Sequence, residues 1–519
     1  MQKVPYDVFD IIGPIMIGPS SSHTAGAVRI GLIAGQICDF DPSEIHVFFH
    51  GSLASTYSAH KTDVGVTAGI LGILVDDERV RTSVEIAKNK GIKVKFEPIA
   101  LENAHPSTII IEMKDRAGNP ITMRSATIGG GNIIVEEMND FPVNFDGKQD
   151  VLLGLTSLSE KDFKEFLEKT GHEGLSIGSF TKTEKGFAFK VMFSCDGKKA
   201  LHLIKEEKHT CEAYLIRGVM PLQASGKLFY KSCIMLVEES ERQGCSLGET
   251  VIRFEMEKSG RNREQVLAQM LEAFLVMKES IKKGLECENV LLGGIFQGNA
   301  LKMDRFLNEK KSLAGPLITR IVRNAFAVME VNGSMGKIVA CPTAGSAGTV
   351  PAVLVTLAEE YSFPDEEVVK AMFTGAGIVI IIAENATISG AVGGCQAECG
   401  SASAMAAAIV TSLYGGNSKQ ILSSVSLALG NVLGMVCDPV AGMVEIPCIQ
   451  RNTIAAANAI ISAEMALAGV DSVIPADEMI SALDEVGKLM DPGLKDSLGA
   501  GMSNTPTARR IEKTLLGHV

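Results

Sequence analysis

The sequence has no long apolar run. Its longest apolar stretch, about 378–383, is cut by Glu384 and falls far short of the roughly 20 residues that a membrane helix requires. It has no basic run with interleaved aromatics either. Lys and Arg number 49 against 61 Asp and Glu, a formal net charge of −12. That balance argues against a nucleic-acid or anionic-membrane partner. Asp7 and Asp10 precede any apolar run, so the N-terminus does not read as a signal peptide. No internal repeat, low-complexity linker, glycine-rich phosphate loop or Schiff-base lysine context is evident, which leaves pyridoxal phosphate without a signature. A compact ferredoxin-like cysteine run is also missing.

What is present is length, glycine and scattered cysteine. The 519 residues favour two to four domains. At 46% hydrophobic composition the chain can bury sizeable cores, and 52 glycines suit tight helix contacts and backbone-lined sites. Eleven cysteines, an odd number spread over the whole chain, fit free thiols plus a metal site in a cytoplasmic protein.

Residues 1–148 read as an α/β domain. The string Gly18-Pro19-Ser20-Ser21-Ser22-His23-Thr24 leads into a helix whose start its hydroxyls would cap. A helix start of this kind also suits a substrate carboxylate. Strands are expected at 45–49, 93–96, 108–113, 121–124 and 133–135, with a further helix opening at His60-Lys61-Thr62-Asp63. Gly129, Gly130 and Gly131 form a loop that fits either a ligand or a tight turn. Residues 149–218 give the order βαββαβ of a ferredoxin-like unit. From 222 to 519 the period becomes helical. Val266, Leu267, Met270, Leu271, Phe274 and Leu275 read as one buried stripe, ended by Gly284.

The densest text lies between Gly393 and Asn452, which holds Cys395, Cys399, Cys437 and Cys448. By spacing alone these read as buried thiols acting as small hydrophobes. Their surroundings are more specific: Gly-Cys-Gln-Ala-Glu-Cys-Gly-Ser from Gly394, Cys-Asp-Pro-Val-Ala-Gly from Cys437 and Ile-Pro-Cys-Ile-Gln-Arg-Asn from Ile446. These strings resemble the α-domain motifs of the iron–sulfur L-serine dehydratases (L-serine ammonia-lyases). The Gly-Pro-Ser-Ser-Ser-His-Thr, His-Lys-Thr-Asp, His-Pro-Ser-Thr and Ile-Gly-Gly-Gly strings resemble their β-domain.

The resemblance implies a single chain with three parts. The first is a β-domain, similar also to the allosteric substrate-binding domain of phosphoglycerate dehydrogenases. The second is an ACT-like module at 149–218, with Thr156-Ser157-Leu158-Ser159 where the usual ligand turn would be. The third is an all-helical α-domain. It implies a [4Fe–4S] cluster on Cys395, Cys437 and Cys448, with Cys399 and Cys341 outside the ligand set. Some members close the fourth iron with a C-terminal cysteine; this sequence ends Leu516-Gly517-His518-Val519. Many members also have Asn at Ala344. The implied activity is conversion of L-serine to pyruvate and ammonia in a cytoplasmic homodimer. His23 and His60 are the implied catalytic groups, with Ser20, Ser21, Ser22, Thr24, Gly129 and Gly130 at the substrate. A cluster-dependent L-cysteine desulfidase and a serine or iron sensor with a vestigial site are the alternatives.

Overall fold

The computed structural model describes residues 6–169, 174–193, 196–220, 230–286, 288–309 and 312–516. The expected start of the helical region at 222, and Gly517, His518 and Val519, lie outside them. The chain divides into two compact units. One comprises Met1–Ala25, Ser58–Lys61 and Ala224–Val519; the other comprises Gly26–Tyr57 and Thr62–Gln223.

The second unit contains two sheets. The larger has six strands in the order Lys93–Ile99, Glu44–His50, Thr108–Lys114, Pro120–Gly129, Asn132–Met138 and Phe141–Phe145. Only the first pair is parallel. Along Glu44–His50, Ile45, Val47 and Phe49 are fully buried and the residues between them are half-buried, the alternation that a pleated strand dictates. Helices Gly26–Ile37 and Thr62–Ile70 pack so closely that a methyl group on Gly31 would lie 2.2 Å from the Val66 carbonyl oxygen. The expected strands are all present, each longer than its apolar run.

The smaller sheet is antiparallel, in the order Thr210–Ile216, Val151–Thr156, Gly186–Phe193, Leu175–Thr183. Helices Glu160–Lys169 and Gly197–Glu206 complete the βαββαβ unit. Their apolar residues Phe163, Leu167, Ala200 and Ile204 join Leu152, Phe189 and Val191 in one core. Ser159 accepts a hydrogen bond from the Asp162 amide, the start signal expected there.

Among the described residues, the first unit is helical apart from one strand pair, Ile15–Ile17 antiparallel to Lys337–Val339. Helix Asp365–Asn385 is buried from Ile378 to Ala383, so the longest apolar run is core. Among the described residues, no helix is long and apolar enough to cross a membrane. Ser246 and Asn262 accept from the Glu249 and Gln265 amides, as start signals should. Two expectations for the long helix Arg263–Glu286 fail. Val266, Met270, Phe274, Met277 and Ile281 are buried, but Leu271 and Leu275 are 36% and 49% exposed. The one-residue offset turns that second row away from the packed face. Gly284 does not stop the helix either. It lies inside it, where a methyl group would meet the Ala327 carbonyl oxygen at 2.4 Å.

Candidate active site

The cysteine strings occupy three anchored positions in the first unit. Cys395 precedes a π-turn, Gln396–Gly400, that opens helix Ser401–Leu413. Such turns are frequent at functional sites. Fully buried Gln396 pins this turn: its backbone N–H donates to Met435, its side-chain amide donates to the Leu483 carbonyl, and its side-chain oxygen accepts from the Gly434 amide. Cys437 exchanges backbone hydrogen bonds with the segment 494–496, donating to Leu494 and accepting from Asp496, both at 2.8 Å. Cys448 is the first residue of helix Cys448–Leu467.

That helix start is held by two side chains from the same string. Arg451 donates to Asp438 at 2.8 Å and to the Val436 carbonyl, and its guanidinium also reaches Cys395. Asp438 in turn accepts from the Met502 amide at 2.6 Å. Asn452 donates to the carbonyls of Gly345 and Cys448 and accepts from the Gly348 amide and the Thr349 hydroxyl. It thereby ties the 343–349 loop to the cysteine helix.

All four cysteines of this region are free thiols; Cys448 is half-buried and the others are buried. Cys399 donates to Cys395, and this hydrogen bond is the main cause holding the Cys395 thiol below its ordinary value. Burial pushes Cys437 and Cys448 well above theirs. Cys399 thus stands beside the expected ligand set. Cys341 is a packed thiol, 3.4 Å from the Met405 sulfur, and burial raises it.

His23 and His60 are both 3% exposed, and their Nδ1 atoms lie 2.6 Å apart. One ring must donate and the other accept, so the pair holds one shared proton there. Burial, and then the neighbouring ring, lowers His23 to about 3; burial also lowers His60. Both are neutral imidazoles at neutral pH. The Asp496 carboxylate opposes that trend. Ligand atoms of His23, His60 and Asp496 lie within 4.8 Å of one another, so these three form a second metal-capable donor set beside the thiols.

The hydroxyl string is built into this arrangement. Residues Ser21–Ala25 form a π-turn rather than the expected start of a plain α-helix. The Ala25 amide reaches back to the Ser20 carbonyl, so the turn is one residue wider. Ser20 nonetheless caps it, accepting from the His23 amide at 3.1 Å. Thr24 donates to the His60 carbonyl at 2.6 Å, and Ser21 accepts from the Ala344 amide. Ser22 is half-buried. Here Ala344 contributes its backbone, its carbonyl accepting from Asn332. Gly129 and Gly130 belong to the second unit. With φ of 105° and 59° they make the hairpin turn between Pro120–Gly129 and Asn132–Met138, which is the tight-turn reading of that loop.

Four residues of this neighbourhood escaped the sequence reading. Glu398, Arg451 and Asn452 lie inside the cysteine strings and were legible as their polar members. Asp496 carries no motif signal. Its backbone is left-handed, φ 52°, and is held by Cys437. Glu398 is half-buried, and burial followed by the nearby Cys395 raises its carboxyl to about 8.

Comparison with known proteins agrees with these groupings. Residues 242–502 match the family described as Serine dehydratase alpha chain, and residues 7–138 match that described as Serine dehydratase beta chain. An L-serine dehydratase of Mycobacterium bovis is 31% identical over 97% of this chain and 99% of its own length. L-serine dehydratase TdcG of Escherichia coli is 29% identical over 95% of this chain and 98% of its own. A probable L-serine dehydratase alpha chain of Bacillus subtilis is 42% identical over 54% of this chain and 94% of its own. The chain belongs to the serine dehydratase family, with the alpha-chain and beta-chain regions in one polypeptide.

Proposed function

We propose that this chain is an L-serine ammonia-lyase that converts L-serine to pyruvate and ammonia with a [4Fe–4S] cluster held by Cys395, Cys437 and Cys448. The observation that carries this reading is that one compact unit holds three anchored thiols and a buried histidine pair, with Asp496 close enough to act on both. The donor set fits the group. Thiolates are its preferred ligands, Arg451 supplies positive charge at Cys395, and Gly390 leaves a wall without a side chain beside Cys437. A methyl group there would stand 3.4 Å from the sulfur.

When bound, a cluster with one iron free of thiolate supplies Lewis acidity toward the hydroxyl oxygen of serine, worth several kcal/mol on a poor leaving group. The rest falls to the chain itself. The neutral His23–His60 pair accepts the α-proton, and Asp496 stabilises the resulting imidazolium. The same proton is available to the departing hydroxide, so water leaves and the pair returns to neutral. Ser20, Ser21, Ser22 and Thr24 hold the substrate carboxylate at the π-turn. The released aminoacrylate tautomerises and hydrolyses to pyruvate and ammonia. The boundaries 1–148, 149–218 and 222–519, the cytoplasmic location and the homodimer belong to the same reading.

The test is anaerobic purification followed by pyruvate formation from L-serine, with carbonyl reagents as a control. Turnover lost in air, restored by ferrous iron and thiol, and indifferent to hydroxylamine supports the reading. Inhibition by low hydroxylamine with release of an organic cofactor contradicts it.

A further inference from the structure

We infer that Glu398 receives the ammonium group of the amino-acid substrate, and so sets a preference for amino acids over hydroxy acids that lack the amine. The inference rests on the reading given above and adds to it the residue that recognises the amine.

Three observations converge on this side chain. The first is position. Glu398 lies on the π-turn between Cys395 and Cys399, where its carboxylate shares a narrow space with the Cys437 sulfur. A methyl group on Gly390 would lie 2.7 Å from one carboxylate oxygen and 3.4 Å from that sulfur. A methyl group on Gly345 would lie 3.3 Å from both carboxylate oxygens. Two glycines thus leave the carboxylate facing the thiols without an intervening side chain.

The second is the lack of a cation. Among the described residues no lysine or arginine pairs with Glu398. Its neighbours are Cys395 and Asp496, both acidic, and the Thr343 hydroxyl, which donates to it. Arg451, the guanidinium of this neighbourhood, is committed to Asp438, the Val436 carbonyl and Cys395. None of the described residues supplies the positive partner that a carboxylate taken out of bulk water needs; burial then raises the carboxyl to about 8, and an ammonium placed beside it is what favours the charged form.

The third is the chemistry of the neighbours. His23 and His60 are neutral and engaged with each other, and the Ser20–Thr24 string offers hydroxyls and amides, which suit the substrate carboxylate. Asp496 faces the histidines. Glu398 is therefore the group left to meet an ammonium. In L-serine the amine is on the carbon next to the one bearing the hydroxyl. That vicinal arrangement matches a carboxylate adjoining the thiol set.

The test compares two probes on full-length, anaerobically purified protein by calorimetric titration: L-serine, and 3-hydroxypropanoate, which has the same hydroxyl and carboxylate but no amine. Loss of a charge-assisted contact is worth about 10- to 100-fold in affinity. E398Q is expected to weaken L-serine by that factor and to leave 3-hydroxypropanoate within about twofold. Equal weakening of both probes, or of neither, overturns the inference. If E398Q loses its visible absorption or helical circular dichroism, E398D replaces it; it keeps the charge and should retain part of the preference that the wild type shows. An E398D protein with no change in the ratio, alongside a wild type that shows no preference for serine, likewise overturns it. Wild type that makes pyruvate, with E398Q retaining full serine affinity, removes this inference alone. Wild type that neither binds nor converts serine removes the proposed function with it.

Discussion

His23 and His60 show how little of a residue's role is visible until its partner is known. Each is a lone histidine in a separate string, yet their Nδ1 atoms meet at 2.6 Å. A positioned acid or base contributes about 10²–10⁴-fold. We therefore expect His23→Ala and His60→Ala each to lower turnover at least about 100-fold while iron content stays unchanged. Near wild-type rates in both would remove the pair from the chemistry. Their burial also has a consequence for stability. Unfolded histidine titrates near 6.5, whereas folded His23 titrates at about 3 and folded His60 below its usual value. Below pH 6.5 the unfolded chain takes up protons that the native chain does not. The stability conferred by neutral burial is thus complete above that pH and is lost as pH falls toward the folded values. Each histidine withdraws up to about 1.4 kcal/mol per pH unit in that window. Thermal unfolding followed from pH 7.5 to 5.5 should show a steeper loss in wild type than in a His23→Gln variant; parallel curves would contradict the assignment.

At the scale of elements, the sequence was most legible where one rule decides the outcome. The strands at 45–49 and 108–113 followed from alternation and β-branched content. The Ser246 and Asn262 helix starts followed from local hydrogen bonding. It was least legible where a distant partner decides. Strand Ile15–Ile17 exists because Lys337–Val339 pairs with it. The wider turn at Ser21–Ala25 reflects tertiary contacts of His23 and Thr24 with His60 that no local pattern encodes. Asp496 arrives through backbone pairing with Cys437. Close packing is legible only in outline: the glycine content suits tight helix contacts, but no local pattern marks Gly31 as one of them. Gly31→Ala would drive a methyl group into the Val66 carbonyl at 2.2 Å, and overpacking of this kind costs about 1–3 kcal/mol. We expect a lower unfolding temperature for that variant with iron content unchanged, because the cysteines belong to the other unit. An unchanged temperature would show that the helices part freely.

At the scale of the molecule, the chain places every thiol and imidazole of the candidate site in one unit and the four- and six-stranded sheets in the other. The βαββαβ module contributes its own core and none of those groups. Replacing 149–218 by a short linker should leave a folded protein with iron and measurable turnover. If serine cooperativity exists and disappears with the module, the module is a sensor; if cooperativity survives, it is a spacer. The central claim is tested most directly by iron and sulfide analysis with visible spectra, with and without L-serine, on wild type, Cys437→Ser and Cys341→Ser purified without air. The account requires about four iron and four sulfide per chain in wild type and in Cys341→Ser. It also requires a broad visible band that serine perturbs, and loss of both band and turnover in Cys437→Ser. A fully active Cys437→Ser protein with its cluster intact would contradict it.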